Sequence, residues 1–98
     1  MKKNYHIELT EDARESFVEL VLFYESLKYN LGNELLDDYD KSIKKLSANP
    51  QHYFNISKKF RRIKFERFRC MIIYRIKNDI VEVVAIVDMR SKPNKNFY

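Results

Sequence analysis

The sequence predicts an α+β fold in which a hairpin of two helices packs on an antiparallel sheet, with elements in the order β, α, α, β, β, β. Two observations set the order: apolar residues recur at helical spacing from Ala13 to Leu46, whereas they alternate or run continuously from residue 60 to residue 87. A third is the charge, since residues 1–50 carry seven Lys/Arg and ten Asp/Glu, and residues 51–98 carry twelve and four. We therefore expect an acidic helical half and a basic sheet half.

The N-terminal part of the chain predicts one strand and one helix. Residues 4–9 alternate between apolar and polar side chains, which is typical of a half-exposed strand. Thr10 then offers a hydroxyl that can cap a helix, and Glu11 and Asp12 suit the positive end of the helix dipole. The helix that follows has an apolar stripe formed by Ala13, Phe17, Leu20, Val21, Tyr24 and Leu27.

A second helix follows after a reversal near Gly32, the only glycine, which adopts positive φ at little cost. Pro50 predicts its end at Asn49, because proline disfavours helical geometry in the residue before it. Residues 51–57 are predicted to form a loop whose aromatic side chains pack under the helices. The apolar face of this helix is formed by Leu36, Tyr39, Ile43 and Leu46, with Leu35 beside them.

Three further strands are predicted between residues 58 and 87. In the first, alternation sets Ile63 and Phe65 on one side with Arg61, and Arg62 and Lys64 on the other. Residues 70–77 and 80–87 form a hairpin around a two-residue turn at positions 78–79. The last strand is apolar on both sides, which indicates a central position. Strict alternation would put one set of its side chains on one face, namely Val81, Val83, Ala85 and Val87.

The basic strand is the candidate binding surface. Residues 58–69 contain seven Lys/Arg and one acid, Glu66. An excess of one sign on one element indicates a surface that meets phosphates or an acidic partner, although a solvated polar face is an alternative. The predicted nucleic-acid-binding or partner-binding residues are Lys58, Lys59, Arg61, Arg69, Arg75, Lys92 and Tyr98.

Length and composition limit the remaining possibilities. We expect residues 1–98 to form a single domain, since 98 residues suffice for one core. The absence of a signal-peptide pattern or a run of about 20 apolar residues predicts a cytoplasmic protein with no membrane contact. Cys70, the only cysteine, is interpreted as a buried thiol. No glycine-rich phosphate loop, metal-spaced cluster or nucleophile elbow is present, so neither a cofactor nor a metal is expected.

Several motifs, taken together, resemble a known family. They are the element order, the stop at residues 49–50, the arginine pair at 61–62, the segment 67–76 and the closing Arg-Ser-Lys-Pro at 90–93. In this order they are similar to the RelE/ParE superfamily of bacterial type II toxins. The resemblance implies a small toxin that inhibits bacterial growth and is neutralised by a cognate antitoxin covering its basic surface.

The superfamily has two branches with different targets. RelE-like members cut messenger RNA on the ribosome without a metal, and this resemblance implies catalytic roles for Arg62, Lys64, Arg90 and Phe97. ParE-like members poison DNA gyrase and are not nucleases. Met71 stands where the RelE-like branch has a catalytic arginine, which slightly favours ParE-like action. A toxin-like interaction module without activity is a third hypothesis.

Overall fold

The computed structural model describes residues 4–90. In chain order its elements are β1 (His6–Leu9), α1 (Glu11–Leu27), α2 (Leu31–Ala48), a 3-10 helix (Pro50–His52), β2 (Phe54–Asn55), β3 (Arg61–Lys64), β4 (Cys70–Lys77) and β5 (Ile80–Asp88). The strands form one sheet in the order β1-β5-β4-β3-β2. The predicted α+β fold is confirmed, with both helices on one face of the sheet.

Strand directions follow from how the strands are connected. From β2 to β5 every neighbouring pair is antiparallel, as predicted, and the turn at Asn78 has the positive φ of 58° expected there. β1 instead runs parallel to β5. Two helices separate β1 from the remaining strands, so no hairpin fixes its direction. The segment predicted as a loop at residues 51–57 contains the 3-10 turn and the two-residue strand β2.

A β-bulge interrupts the pairing of β4 with β5. Tyr74 lies opposite Val83 and Ile73 lies opposite Ala85, so Val84 has no partner across the ladder. An extra residue of this kind reverses the alternation of side chains beyond it. The second half of β5 therefore presents the opposite set of side chains from the one expected.

The burial of β5 shows this reversal. Val81 and Val83 lie in the core under the helices, as predicted, and Ile86 joins them. Ala85 and Val87 belong to a second apolar cluster on the other face of the sheet. The prediction that they share a face with Val81 and Val83 was wrong, because strict alternation does not allow for a bulge.

The sheet has an apolar cluster on each face. The larger one joins the helices to β3, β4 and β5 and includes Ile63, Phe65, Cys70, Ile72 and Tyr74, which confirms the predicted inward faces of β3 and β4. The smaller one lies on what we call the open face, the face that neither α1 nor α2 covers. It consists of Met71, Ile73 and Ala85 with Ile56, Phe60, Val84 and Val87 around them.

The helix hairpin turns at Asn30, which has a φ of 69°, and not at Gly32, which is helical. Gly32 is needed for a different reason: a Cβ atom there would lie 3.0 Å from the Val21 carbonyl oxygen of α1. The Glu25 carboxylate of α1 accepts hydrogen bonds from the backbone N–H groups of Asn30 and Gly32, both at 2.9 Å. The two helices are thus held at very close approach where the chain reverses.

Helix ends agree with the sequence better than helix faces do. The Thr10 hydroxyl accepts a hydrogen bond from the Ala13 N–H at 3.1 Å, and α2 ends before Asn49, as predicted. Leu27 and Leu36 were expected on packed faces, but they are 57% and 38% exposed. The buried face of α2 is centred elsewhere, on Gly32, Leu35, Asp38, Ser42 and Leu46.

Candidate functional site

The turn between β3 and β4 carries two of the basic residues and is fixed by α2. Asp38, which is only 4% exposed, accepts hydrogen bonds at one carboxylate oxygen from the backbone N–H groups of Arg67 (3.0 Å) and Phe68 (2.9 Å). Glu34 forms an ion pair with the Arg67 guanidinium. Arg69 is exposed in the same turn. The basic turn is therefore rigidly placed by acidic residues of the helix.

Arg62 and Lys64 lie at the open face. The Arg62 guanidinium carbon is 4.7 Å from the centre of the Phe54 ring, and its Nη1 is 4.0 Å from the Met71 sulfur. Lys64 is exposed and sits opposite Met71 in the β3–β4 register. Phe54 was expected under the helices but is 61% exposed, because β2 is an edge strand whose aromatic ring stacks on Arg62 instead.

Arg90 lies at the other face of the sheet, against α1. Its guanidinium pairs with Asp88 at 3.0 Å, contacts the Tyr24 hydroxyl and lies 5.2 Å from the centre of the Tyr24 ring. The Tyr24 hydroxyl in turn donates to Asp88 at 2.8 Å. The bulge makes this cluster possible, since it turns Asp88 towards the helices.

The cluster changes the ionisation of its members. Burial by itself would raise the pKa of Asp88, but hydrogen bonds from Arg90 and Tyr24 outweigh it and hold that pKa below its ordinary value. Burial, together with the hydrogen bond to Asp88, raises the pKa of the Tyr24 hydroxyl. Burial also raises the pKa of the nearby Cys70 thiol to about 12, so this cysteine stays protonated, in line with its interpretation as a buried thiol.

Arg61 has a structural role. Its Nη1 donates to the carbonyl oxygens of Gln51 and Tyr53, both at 3.0 Å. These bonds hold the segment after α2 against β3. A third bond, from the buried Tyr74 hydroxyl to the Pro50 carbonyl at 2.6 Å, ties the same segment to β4.

Three of the predicted binding residues meet at one recess. Lys58 and Lys59, from the turn between β2 and β3, line a recess of about 330 Å³ together with Arg75, Ile76 and Lys77 from the end of β4. The Arg75 Nε donates to Glu82 at 2.6 Å. We call this the basic recess.

The structure thus divides the predicted site residues into separate groups. Lys58, Lys59 and Arg75 share the basic recess, Arg62 and Lys64 share the open face, and Arg90 is on the helix face. Lys92, Phe97 and Tyr98 lie outside the described residues. Sequence reasoning missed Asp38, although its spacing of three from Leu35 and four from Ser42 places it on the inner face of α2.

Two solved structures have a similar fold. A chain of the chromosomal ParDE TA system from P. aeruginosa matches with a TM-score of 0.74 and 16% identity, covering 86% of this chain and 95% of that one. A mutant of the E. coli toxin RelE in the free state matches with a TM-score of 0.57 and 13% identity, covering 91% and 87%. No curated protein matches the sequence. The fold is therefore that of the RelE/ParE-like toxins.

The family follows from the sequence itself. The model of the family described as the ParE toxin of the type II toxin-antitoxin system parDE matches residues 7–93. Because this range spans most of the chain, the protein belongs to the ParE toxin family. It is a type II toxin, as the resemblance implied, and membership implies an antitoxin as its partner. Among residues 4–90, neither helix is sufficiently long and apolar to cross a membrane.

Proposed function

We propose that this toxin arrests bacterial growth by poisoning DNA gyrase in the cytoplasm. The observation that supports it most is the separation of Arg90 from Arg62 and Lys64 by the sheet. Cleavage of RNA needs a base for the 2′-hydroxyl, an acid for the leaving oxygen and positive charge, all within hydrogen-bond reach of one phosphate. Groups on opposite faces of a sheet do not meet at one phosphate.

The charges of the candidate nuclease residues support the same reading. Arg90 is paired with Asp88, so a phosphate would have to compete with a carboxylate already bound. Met71, opposite Lys64 in the register, supplies a thioether where a RelE-like enzyme has a guanidinium. Loss of one donor to transition-state charge typically lowers the rate by about 100- to 1000-fold.

Ribosome-dependent cleavage of messenger RNA is the second candidate. It is favoured by Arg62 and Lys64, which are two residues apart in β3 and share the open face. In that mechanism their proposed roles are proton transfer and charge stabilisation, with Arg90 and Phe97 completing the set. A toxin-like module that only binds its antitoxin is the third.

Pulse labelling of DNA and protein synthesis tests these functions, in bacteria induced to make this chain without an antitoxin. A gyrase poison is expected to stop DNA synthesis first and to leave broken DNA. If protein synthesis stops first and transcripts are cut within codons, the ribosomal mechanism replaces our proposal. Normal rates of both would leave the binding module.

A pair of double variants sharpens the test. Arg62→Ala/Lys64→Ala removes two basic side chains of the open face, and Lys41→Ala/Lys44→Ala removes two exposed basic side chains of α2 as a matched control. A gyrase poison that acts through other surfaces is expected to arrest growth with either variant. Loss of arrest with the first variant alone, in a protein that still folds, would contradict the proposal. Inhibition of supercoiling by purified gyrase provides the direct measurement.

A further inference from the structure

The basic recess is built on a turn of defined conformation. The Ser57 hydroxyl accepts hydrogen bonds from the N–H groups of Lys59 (3.2 Å) and Phe60 (3.1 Å), and the Ile56 N–H donates to the Phe60 carbonyl at 3.0 Å. Lys58 and Lys59 are exposed at the tip of this closed turn. Their charges are therefore presented from a fixed backbone, which lowers the entropy lost when they bind an anion.

The other side of the recess adds two basic side chains from β4. Arg75 is partly neutralised by Glu82, whereas Lys77 is exposed at the strand end. Four cationic side chains thus line one recess, and their mutual repulsion makes an anionic ligand favourable. The recess is at the end of β4 away from Met71 and Lys64, and none of the five residues that line it is a candidate nuclease residue.

The lining of the recess indicates which kind of anion fits. Among residues 4–90, Ile76 is the one apolar residue that lines it, and none of the lining residues is aromatic. Protein partners are usually anchored by buried aromatic or aliphatic side chains, and single-stranded nucleic acids by rings on which bases stack. A ligand that needs neither kind of anchor is a nucleic-acid duplex bound through its phosphates.

We propose that the basic recess binds the phosphate backbone of a nucleic-acid duplex. This activity goes beyond gyrase poisoning, because it requires no gyrase. Where the toxin acts on gyrase, the basic recess would add a contact to the DNA that gyrase holds. Only this contact in the gyrase complex rests on the proposed function.

Fluorescence anisotropy of a labelled DNA duplex of about 20 base pairs, titrated with the purified toxin at several salt concentrations, tests the proposal. Each phosphate contact contributes about −0.9 to the slope of log affinity against log salt. Three lysine contacts then account for a loss of affinity of about 40-fold between about 50 and about 200 mM salt. The variant Lys58→Ala/Lys59→Ala/Lys77→Ala is expected to lack this part of the salt dependence.

The control is Lys28→Ala/Lys41→Ala/Lys44→Ala, which removes the same charge from exposed positions of the helix hairpin. It is expected to keep nearly the whole slope. An equal reduction of the salt slope in both triple variants would mean that net charge alone attracts the duplex, and would overturn the proposal. No binding by the wild type would also overturn it.

Two further ligands identify the source of the phosphates. An RNA duplex that binds as well as DNA supports recognition of the backbone alone, whereas a preference for DNA points to the gyrase substrate. Tighter binding of a polyglutamate peptide, lost in the recess variant, would make the recess an acidic-protein site and refute the inference. Gyrase poisoning by a toxin that does not bind duplex refutes this inference only, and duplex binding without gyrase poisoning refutes only the proposed function.

Discussion

Replacing Asp38 by alanine is expected to destabilise the toxin by about 2–4 kcal/mol. One carboxylate oxygen accepts the N–H groups of Arg67 and Phe68, and the side chain is only 4% exposed. A buried donor left without an acceptor costs about 1–3 kcal/mol, and here two donors lose the same acceptor. Asp38→Asn keeps an oxygen that can accept both hydrogens, so a smaller loss of about 1 kcal/mol is expected from the missing charge.

Urea denaturation followed by circular dichroism measures these free energies of unfolding. Asp37→Ala is the matched control, because it removes the same charge from an exposed position of the same helix. If Asp38→Ala lies within about 0.5 kcal/mol of this control, the turn does not depend on the carboxylate. If Asp38→Asn is as damaging as Asp38→Ala, the charge and not the oxygen position is what matters, and the reasoning from geometry fails.

Three smaller changes test other contacts by the same denaturation measurement. Gly32→Ala should destabilise the protein by about 1–3 kcal/mol, because its Cβ would lie 3.0 Å from the Val21 carbonyl oxygen. Alanine has the higher helix propensity by about 1 kcal/mol, so a variant that is more stable by that amount would contradict the prediction. Ser42→Ala should stabilise by about 1 kcal/mol, since within residues 4–90 its buried hydroxyl has no partner; a loss would disprove it. Tyr24→Phe removes a donor to Asp88 and should cost about 1–2 kcal/mol above pH about 4. The pKa of Asp88 is lowered because its ionised form is stabilised in the folded protein, and this stabilisation is lost once the carboxyl is protonated. The difference in unfolding free energy between wild type and Tyr24→Phe should therefore shrink on acidification, and an unchanged difference at pH about 2 would refute the prediction.

Alternation predicted the faces of β3 and β4 correctly, because neither strand contains an extra, bulged residue. Ile63 and Phe65 lie in the core while Lys64 between them is exposed. In β5 the same reasoning failed at the bulge. Val83, Val84 and Ala85 are all apolar, so no polar residue marks the change of face.

The candidate site was predictable in its composition but not in its arrangement. Arg62 and Lys64 are two residues apart in one strand, so the alternation that pairs them is local. The position of Arg90 depends on the bulge, on the direction of β5 and on Tyr24 in α1, all of which are set by tertiary contacts. Likewise, Lys58 and Lys77 meet only because β3 and β4 pair in a particular register.

The bulge at Val84 has a consequence for how such toxins diverge. The bulge adds one residue to β5, and this extra residue decides which face of the sheet each later side chain of the strand occupies. Deleting Val84 would leave Asp88 inward and Val87 outward, because a regular strand then places these side chains on the same faces as the bulge does. Pairing Val84 in a regular ladder would instead turn Asp88 outward and Val87 inward, which exchanges an interior carboxylate for a surface one without altering any codon. A one-residue shift in the pairing of this strand is therefore a route by which two relatives with nearly identical sequences can present different surfaces to their targets.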